Sequence, residues 1–213
     1  MADQSTLTCH VCGQHGITEV PDFTQLRRVT SDCKPWPAGG RLAVCPSCAT
    51  VQKIIDEPWK AEIAEIYRTY TIYQQSGGVE QQVFSAGDGQ AVSRSLGIVT
   101  KLRDEVGLPS TGRLLDVGCG NGAMLRSVAR LFPGWKLVGN EWDDKYRSVV
   151  EAIPGVEGLF TGPAETTPGE FDAITLLHVL EHVPEPAAFV EKLKTKLRPG
   201  GLLLVDVPDH RRN

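Results

Sequence analysis

The sequence lacks any run approaching the ~18 uninterrupted apolar residues of a membrane helix. No membrane-spanning helix is therefore expected. It also lacks a positive surplus: the net charge is -4 and the sequence pI about 5.7. General binding to nucleic acid or to an anionic membrane needs a basic face, so neither partner is expected. The first residues, MADQSTLTCHVCG, have no charged start followed by an apolar stretch, so no secretory leader is expected. The six cysteines are therefore read in a reducing, cytoplasmic setting, where metal ligation is favoured over disulfides. No internal repeat is visible. With 213 residues, 41% of them hydrophobic, the chain has room for one ordinary domain and a smaller one.

Three zones are expected. Residues 1–55 hold five of the six cysteines and few periodic apolar positions, too little for a hydrophobic core alone. Cys9-x-x-Cys12 and Cys45-x-x-Cys48 form two CxxC knuckles, and four thiolates suit a closed tetrahedral zinc site. A β-hairpin is expected to fill the long gap between them. Cys33, His10 and His15 are weaker substitutes as ligands. A thioredoxin-like redox reading lacks the βαβ context. Residues 56–107 form a helical region, with helices over Asp56–Gln75 and Ala91–Val106 separated by a Gly/Ser/Gln-rich loop over Ser76–Gln90.

Residues 108–213 alternate strand and helix. Strands are expected at Arg113–Val117, Trp135–Gly139, Val156–Phe160, Phe171–Leu177 and Leu202–Val207. Helices are expected at Ala123–Leu131, Tyr146–Ala152 and Ala187–Leu197. The fold class is α/β: a Rossmann-like, mostly parallel sheet with helices on both faces, preceded by the small zinc-binding module.

The densest segment is Leu114-Leu115-Asp116-Val117-Gly118-Cys119-Gly120-Asn121-Gly122, a strand running into a glycine corner. Such a corner lets backbone approach a ligand. Glu141 closes the next strand, where an acid can accept both hydroxyls of a ribose. Two acids at the ends of consecutive strands share one edge of the sheet. Asp116 as a helix cap and Glu141 as a surface acid are the bland alternatives. Cys119 reads as a small buried filler of the corner.

Together, "LLDVGCGNG", "LVGNEWD", "FDAITLLHVLEHVPEP" and "LRPGGLLLVDVP" resemble the ordered motifs of class I S-adenosylmethionine-dependent methyltransferases. The resemblance implies S-adenosylmethionine as cofactor, with Asp116, Gly118, Cys119, Gly120 and Gly122 around its methionyl end and Glu141 on its ribose. Trp142 would stack on the adenine, a core or surface tryptophan being the equal alternative. Where the family often has an acid for the adenine amine this chain has Pro163, which leaves Ala164 backbone or Glu165 for that contact.

His178-Val179-Leu180-Glu181-His182 also spells an inverted zinc-peptidase motif, which needs both histidines on one helix. Its place after an apolar strand favours the methyltransferase reading. There His178 faces the cofactor pocket, and His178 and His182 are candidates for a general base or for orienting the acceptor. A packed, hydrogen-bonded histidine is the alternative for each, and a magnesium site at Glu181 and His182 is a minor one.

A four-cysteine module ahead of such a domain resembles the sugar C-methyltransferase group, which implies a small-molecule acceptor of the nucleotide-linked sugar kind. Tyr67, Tyr70, Tyr73 and Gln74-Gln75-Ser76 would then lie near it, with tyrosines packed between domains as the equal alternative. The alternative is a non-catalytic methyltransferase-like protein that serves an assembly; a nucleotide-dependent dehydrogenase fits the glycine spacing poorly. The resembled class adds two strands after the fifth, so the chain is expected to be a fragment that keeps most cofactor contacts, with His210 at a frayed end.

Overall fold

The computed structural model describes residues 7–70, 80, 82–84, 89 and 91–208. Of these, the residues up to Tyr70, with Pro184–Ala187, form one compact unit. Those from Glu80 to Val183 and from Ala188 onward form a second. Among the described residues, no helix is long and apolar enough to cross a membrane.

The first unit contains β1 (Thr18–Glu19), β2 (Arg28–Val29), β3 (Pro35–Trp36), β4 (Leu42–Val44), β5 (Val51–Lys53) and α1 (Glu57–Thr69). Strands β1, β4 and β5 make an antiparallel sheet in the order β1-β4-β5. Strands β2 and β3 pair as the hairpin expected between the knuckles. Among the described residues, the buried core here is five residues, Cys9, Ile17, Ala43, Cys45 and Ile54. Two of the five are cysteines, so little apolar burial holds this unit together. Helix α1 starts where Asp56 accepts from the Trp59 N–H at 2.9 Å, an N-cap. It stops at Thr69, with Tyr70 already extended. The helix is therefore shorter than Asp56–Gln75, whose last five residues lie outside the described ones.

The second unit opens with a hairpin of β6 (Gln82–Phe84) and β7 (Ala91–Ser93). Here the structure corrects the sequence reading twice. Residues Gln82–Phe84 are a strand, not loop, and Ala91–Ser93 pair with them instead of starting a helix. Helix α2 (Arg94–Lys101) begins after Ser93, runs into a π-turn at Leu102–Val106, and ends at Gly107 with φ 70°. The cross-strand pairing outweighs the weak helical tendency of Ala91-Val92-Ser93.

Then follow β8 (Thr111–Val117), α3 (Ala123–Leu131), β9 (Gly134–Glu141), α4 (Arg147–Glu151), β10 (Val156–Thr161), β11 (Phe171–Leu177), α5 (Pro186–Lys194) and β12 (Leu197–Asp206). The five strands form one all-parallel sheet in the order β10-β9-β8-β11-β12. Alternate residues of each strand face opposite sides. Leu114, Leu137, Leu159 and Ala173 meet Val99 of α2, Leu125 and Val128 of α3 and Val150 of α4 on one face. Leu115, Val138, Ile174 and Leu176 meet Leu193 of α5 on the other. Burial on both faces explains the unbroken apolar runs.

Strand boundaries in the sheet move by at most two residues except at β12, which begins at Leu197 rather than Leu202. Phe171 pairs with Leu197 and Ala173 already pairs with Leu202, so Arg198–Gly201 bulge out of the ladder. Pro199 cannot donate to a ladder, and Gly200 takes φ 80°. The bulge looked like a stop signal while the strand ran through it. Correspondingly, α5 ends at Lys194, before Leu197.

Candidate active site

Chain order runs outward from β8 to β9 and β10, then returns to the other side with β11 and β12. The order reverses between β8 and β11, and ligands of open parallel sheets bind beyond the carboxyl ends of the strands at such a point. Asp116 and Thr175 are register partners there, and the Thr175 hydroxyl donates to Asp116 Oδ1 at 2.6 Å. Both are buried. Burial pushes the Asp116 carboxyl up to about 7, the Thr175 bond pulls it down, and the charge of Glu141 adds to the rise.

The glycine corner follows. Gly118, Gly120 and Gly122 take φ of 65°, 51° and 82°, in the left-handed region that side chains resist. A Cβ on Gly118 would lie 2.5 Å from Val179 Cγ2, so the segment after β11 covers this corner closely. Cys119 is buried against Gly139, whose added Cβ would meet its Sγ at 2.9 Å. Burial holds its thiol far above the ordinary range, so it packs rather than reacts.

Glu141 ends β9. Its Oε2 accepts the Gly120 N–H at 3.0 Å, and its Oε1 accepts its neighbour Trp142's N–H at 2.8 Å. Trp142 is 72% exposed. The loop after β10 is fixed alongside: Asn140 Nδ2 donates to the carbonyls of Phe160 (3.3 Å) and Gly162 (3.1 Å). In that loop Ala164 is buried, and Glu165 pairs with Lys192 at 3.2 Å, which leaves the Glu165 carboxylate partly committed.

His178 follows β11 with φ 54°, a strained position for a non-glycine residue. Its Nδ1 meets Glu181 Oε1 at 3.1 Å, and its Nε2 is buried with no partner among the described residues. Burial pushes Glu181 up, but the His178 bond and the nearby histidines outweigh it and the net shift is downward. His182 sits in a 3-10 turn (Leu180–His182), with its pKa lowered chiefly by burial. The two histidines are not on one α-helical face, so the geometry of the zinc-peptidase motif is absent.

Arg94 was not singled out from the sequence. It starts α2, and its guanidinium pairs with Asp206 at the end of β12 at 2.8 Å. The next residue, Ser95, is buried and its hydroxyl reaches the carbonyl of Ala123, one residue past the glycine corner, at 3.2 Å. Thr175, Asn140 and Val179 were also missed: each is an ordinary strand or turn residue until the register is known. A groove of about 450 Å³ lies at the opposite, amino-terminal end of the strands beside Arg113, Lys136, Glu157 and Arg198. Its Arg113–Glu157 and Arg198–Asp172 pairs at 2.8 and 2.7 Å already satisfy most of its charge.

In the first unit the sulfurs of Cys9, Cys12, Cys45 and Cys48 all lie within 4.8 Å of one another. Cys9–Cys48 and Cys12–Cys45 are 3.7 and 3.6 Å apart. Bonds of ~2.3 Å from one tetrahedral ion to four sulfurs imply sulfur–sulfur edges of about 3.8 Å, so the donor set fits such an ion. Cys33 and the imidazoles of His10 and His15 are not in the cluster. The Thr50 hydroxyl, 3.1 Å from Cys48 Sγ, leads the contacts that lower the Cys48 thiol to about 6. In this unit the Tyr67 and Tyr70 rings lie 5.6 Å apart. Tyr73, Gln74-Gln75-Ser76 and His210 fall outside the described residues.

A methyltransferase-domain family matches residues 93–213, more than half of the chain, and the chain belongs to that family. Ubiquinone biosynthesis O-methyltransferase of Nitrosococcus oceani is 40% identical over 97 residues, 42% of this chain and 40% of that protein. The protein of that name from Colwellia psychrerythraea is 31% identical over 99 residues, 43% of this chain and 39% of that protein. The chain thus spans about two fifths of the length of these curated relatives. Among solved structures, coclaurine N-methyltransferase bound to N-methylheliamine and SAH superposes with TM-score 0.52 at 16% identity. That match covers 71% of this chain and 52% of the other, and it supports the fold.

Proposed function

We propose that the chain binds S-adenosylmethionine at the carboxyl end of its parallel sheet and serves methyl transfer to a small-molecule acceptor. One observation carries the reading: the Gly120 backbone and the Glu141 carboxylate meet across two adjacent strand ends at the sheet's reversal. Membership of the methyltransferase-domain family agrees with it. S-adenosylmethionine, when bound, supplies an electrophilic methyl group on a sulfonium.

The residues divide the work of binding and orientation. Glu141 accepts the ribose hydroxyls. The glycine corner admits the methionyl end, with Asp116 facing its ammonium and Arg94 its carboxylate. Trp142 stacks on the adenine, and Ala164 backbone with Glu165 borders it. Val179 closes the corner and excludes water. His178, whose Nε2 lacks a partner, takes the proton of the acceptor or orients it, with Glu181 holding the ring through Nδ1. His182, whose pKa burial lowers, is the alternative group for that role.

The four-thiol cluster holds a structural zinc ion that substitutes for a missing hydrophobic core. A four-cysteine unit ahead of this domain favours a nucleotide-linked sugar as the acceptor; the names of the curated relatives favour methylation at oxygen. Incubation with methyl-labelled S-adenosylmethionine and two acceptor sets, nucleotide-linked deoxysugars and phenols, tests this. Label transferred to either set supports the enzyme and identifies the acceptor class. Cofactor binding with transfer to neither favours a non-catalytic binding role.

A further inference from the structure

The metal site has a keystone outside its ligands, and the geometry points to Gln52. Strand β5 alternates exposed Val51, buried Gln52 and half-buried Lys53. Gln52 thus faces inward where period two calls for an apolar side chain, beside its register partner Ala43, which is fully buried. A buried amide is costly unless both its ends are satisfied. Both are. Gln52 Oε1 accepts the His10 N–H at 3.0 Å, and Gln52 Nε2 donates to the Thr8 carbonyl at 3.2 Å.

These two bonds bracket Cys9 and reach 42 and 44 residues back along the sequence. The first knuckle is otherwise closed on itself, by Cys9 N–H to Gln14 O, Gly13 N–H to Cys9 O and Gly16 N–H to Leu7 O. Such local bonds shape a turn but do not aim it at the second knuckle. Gln52 does, because the strand that carries it leads directly out of that knuckle: Cys45 N–H donates to Thr50 O, and the Thr50 hydroxyl meets Cys48 Sγ. One short segment, Thr50–Gln52, therefore grips both halves of the site.

Gln52 is a positioning residue that holds Cys9 and Cys12 at ligand spacing before the ion arrives, an outer contact of the kind that tunes metal sites. The assignment rests on the zinc reading above. Its chemistry is specific: leucine fills the volume but orphans the His10 N–H and the Thr8 carbonyl, and glutamate cannot donate to that carbonyl.

The test uses the full chain, loaded with zinc or with cobalt(II), and the variants Gln52→Leu, Gln52→Glu and, as a control on the same strand, Val51→Ala. Zinc affinity by chelator competition is expected to fall about 10–100-fold in Gln52→Leu. Gln52→Glu should fall between the two, and Val51→Ala should match the wild type. The cobalt(II) spectrum should keep its tetrahedral thiolate bands in the wild type and lose intensity in Gln52→Leu. Binding of S-adenosylhomocysteine should be unchanged in every variant, which separates loss of the site from loss of the fold. Wild-type affinity and spectrum in Gln52→Leu would overturn the role of Gln52 alone. A wild-type chain that binds neither metal would overturn the zinc reading and this one with it.

Discussion

The Gly120 N–H donates to Glu141 Oε2 across the ends of β8 and β9, while Glu141 Oε1 takes the N–H of Trp142. Both carboxylate oxygens are thus aimed by backbone, and the side chain is in place before any ribose arrives. Hydrogen bonds to a charged partner contribute about 1.5–3 kcal/mol each, so losing them costs on the order of tenfold or more in affinity. Glu141→Ala is expected to weaken S-adenosylhomocysteine binding by at least that factor in a calorimetric titration. An unchanged Kd would remove Glu141 from the ribose site.

Asp116 ties stability to pH. Its carboxyl, raised by burial from 3.8 to about 7, keeps a proton in the folded chain that the unfolded chain gives up near pH 4. Its contribution is fully present below that lower value and is lost as pH rises through about 7, a swing on the order of 4 kcal/mol. Asp116→Asn keeps the shape without the proton. Thermal unfolding between pH 4 and 8 should show a smaller decline for the variant than for the wild type. Parallel curves would refute the assignment. The same variant should bind S-adenosylhomocysteine more weakly above pH 7, where the Asp116 carboxyl is ionised and gives the ammonium a counter-charge.

Arg94 gives a sharper separation. Its ion pair with Asp206 is about 30% exposed on each side, so it adds little to stability. Arg94→Ala should unfold within about 1 kcal/mol of the wild type, yet bind S-adenosylhomocysteine at least several-fold more weakly. Equal binding in denaturant-matched samples would place the methionyl carboxylate elsewhere.

Gly118 tests how tightly Val179 closes the corner. Gly118→Ala sets a Cβ 2.5 Å from Val179 Cγ2 at a φ of 65°. Strain and overpacking together should cost about 1–3 kcal/mol of stability in urea titrations and reduce cofactor affinity. A neutral substitution would mean that Val179 moves aside freely.

Chelation should act on the first unit. With five buried core residues among those described, two of them Cys9 and Cys45, that unit has little to hold it once the thiols are released. Metal analysis should find one zinc per chain, and a strong chelator should open residues 7–54 to protease while the parallel sheet stays protected. Equal protection with and without chelator would show that the unit stands on its packing.

Much of this was legible in the sequence, for physical reasons. Strands buried on both faces, such as Phe171–Leu177, read as continuous apolar runs, and the two CxxC spacings identified the sulfurs that converge. The acids Asp116 and Glu141 stood out because each ends a strand beside glycine-rich backbone. What escaped depended on contacts between distant segments. Nothing local marks Gln82–Phe84 as the partner of Ala91–Ser93, Thr175 as the partner of Asp116, or Arg94 as the partner of Asp206. The start of β12 was hidden by Pro199-Gly200-Gly201, which terminates most elements but here forms a bulge.

The most direct measurement is a backbone NMR titration of the chain with S-adenosylhomocysteine. Saturable one-site binding is expected, with the largest shifts at residues 116–122, 141–142 and 178–179, and the Gly120 amide among them. Shifts centred instead on Arg113, Lys136 and Arg198 at the opposite end of the sheet, or none in a folded sample, would contradict it.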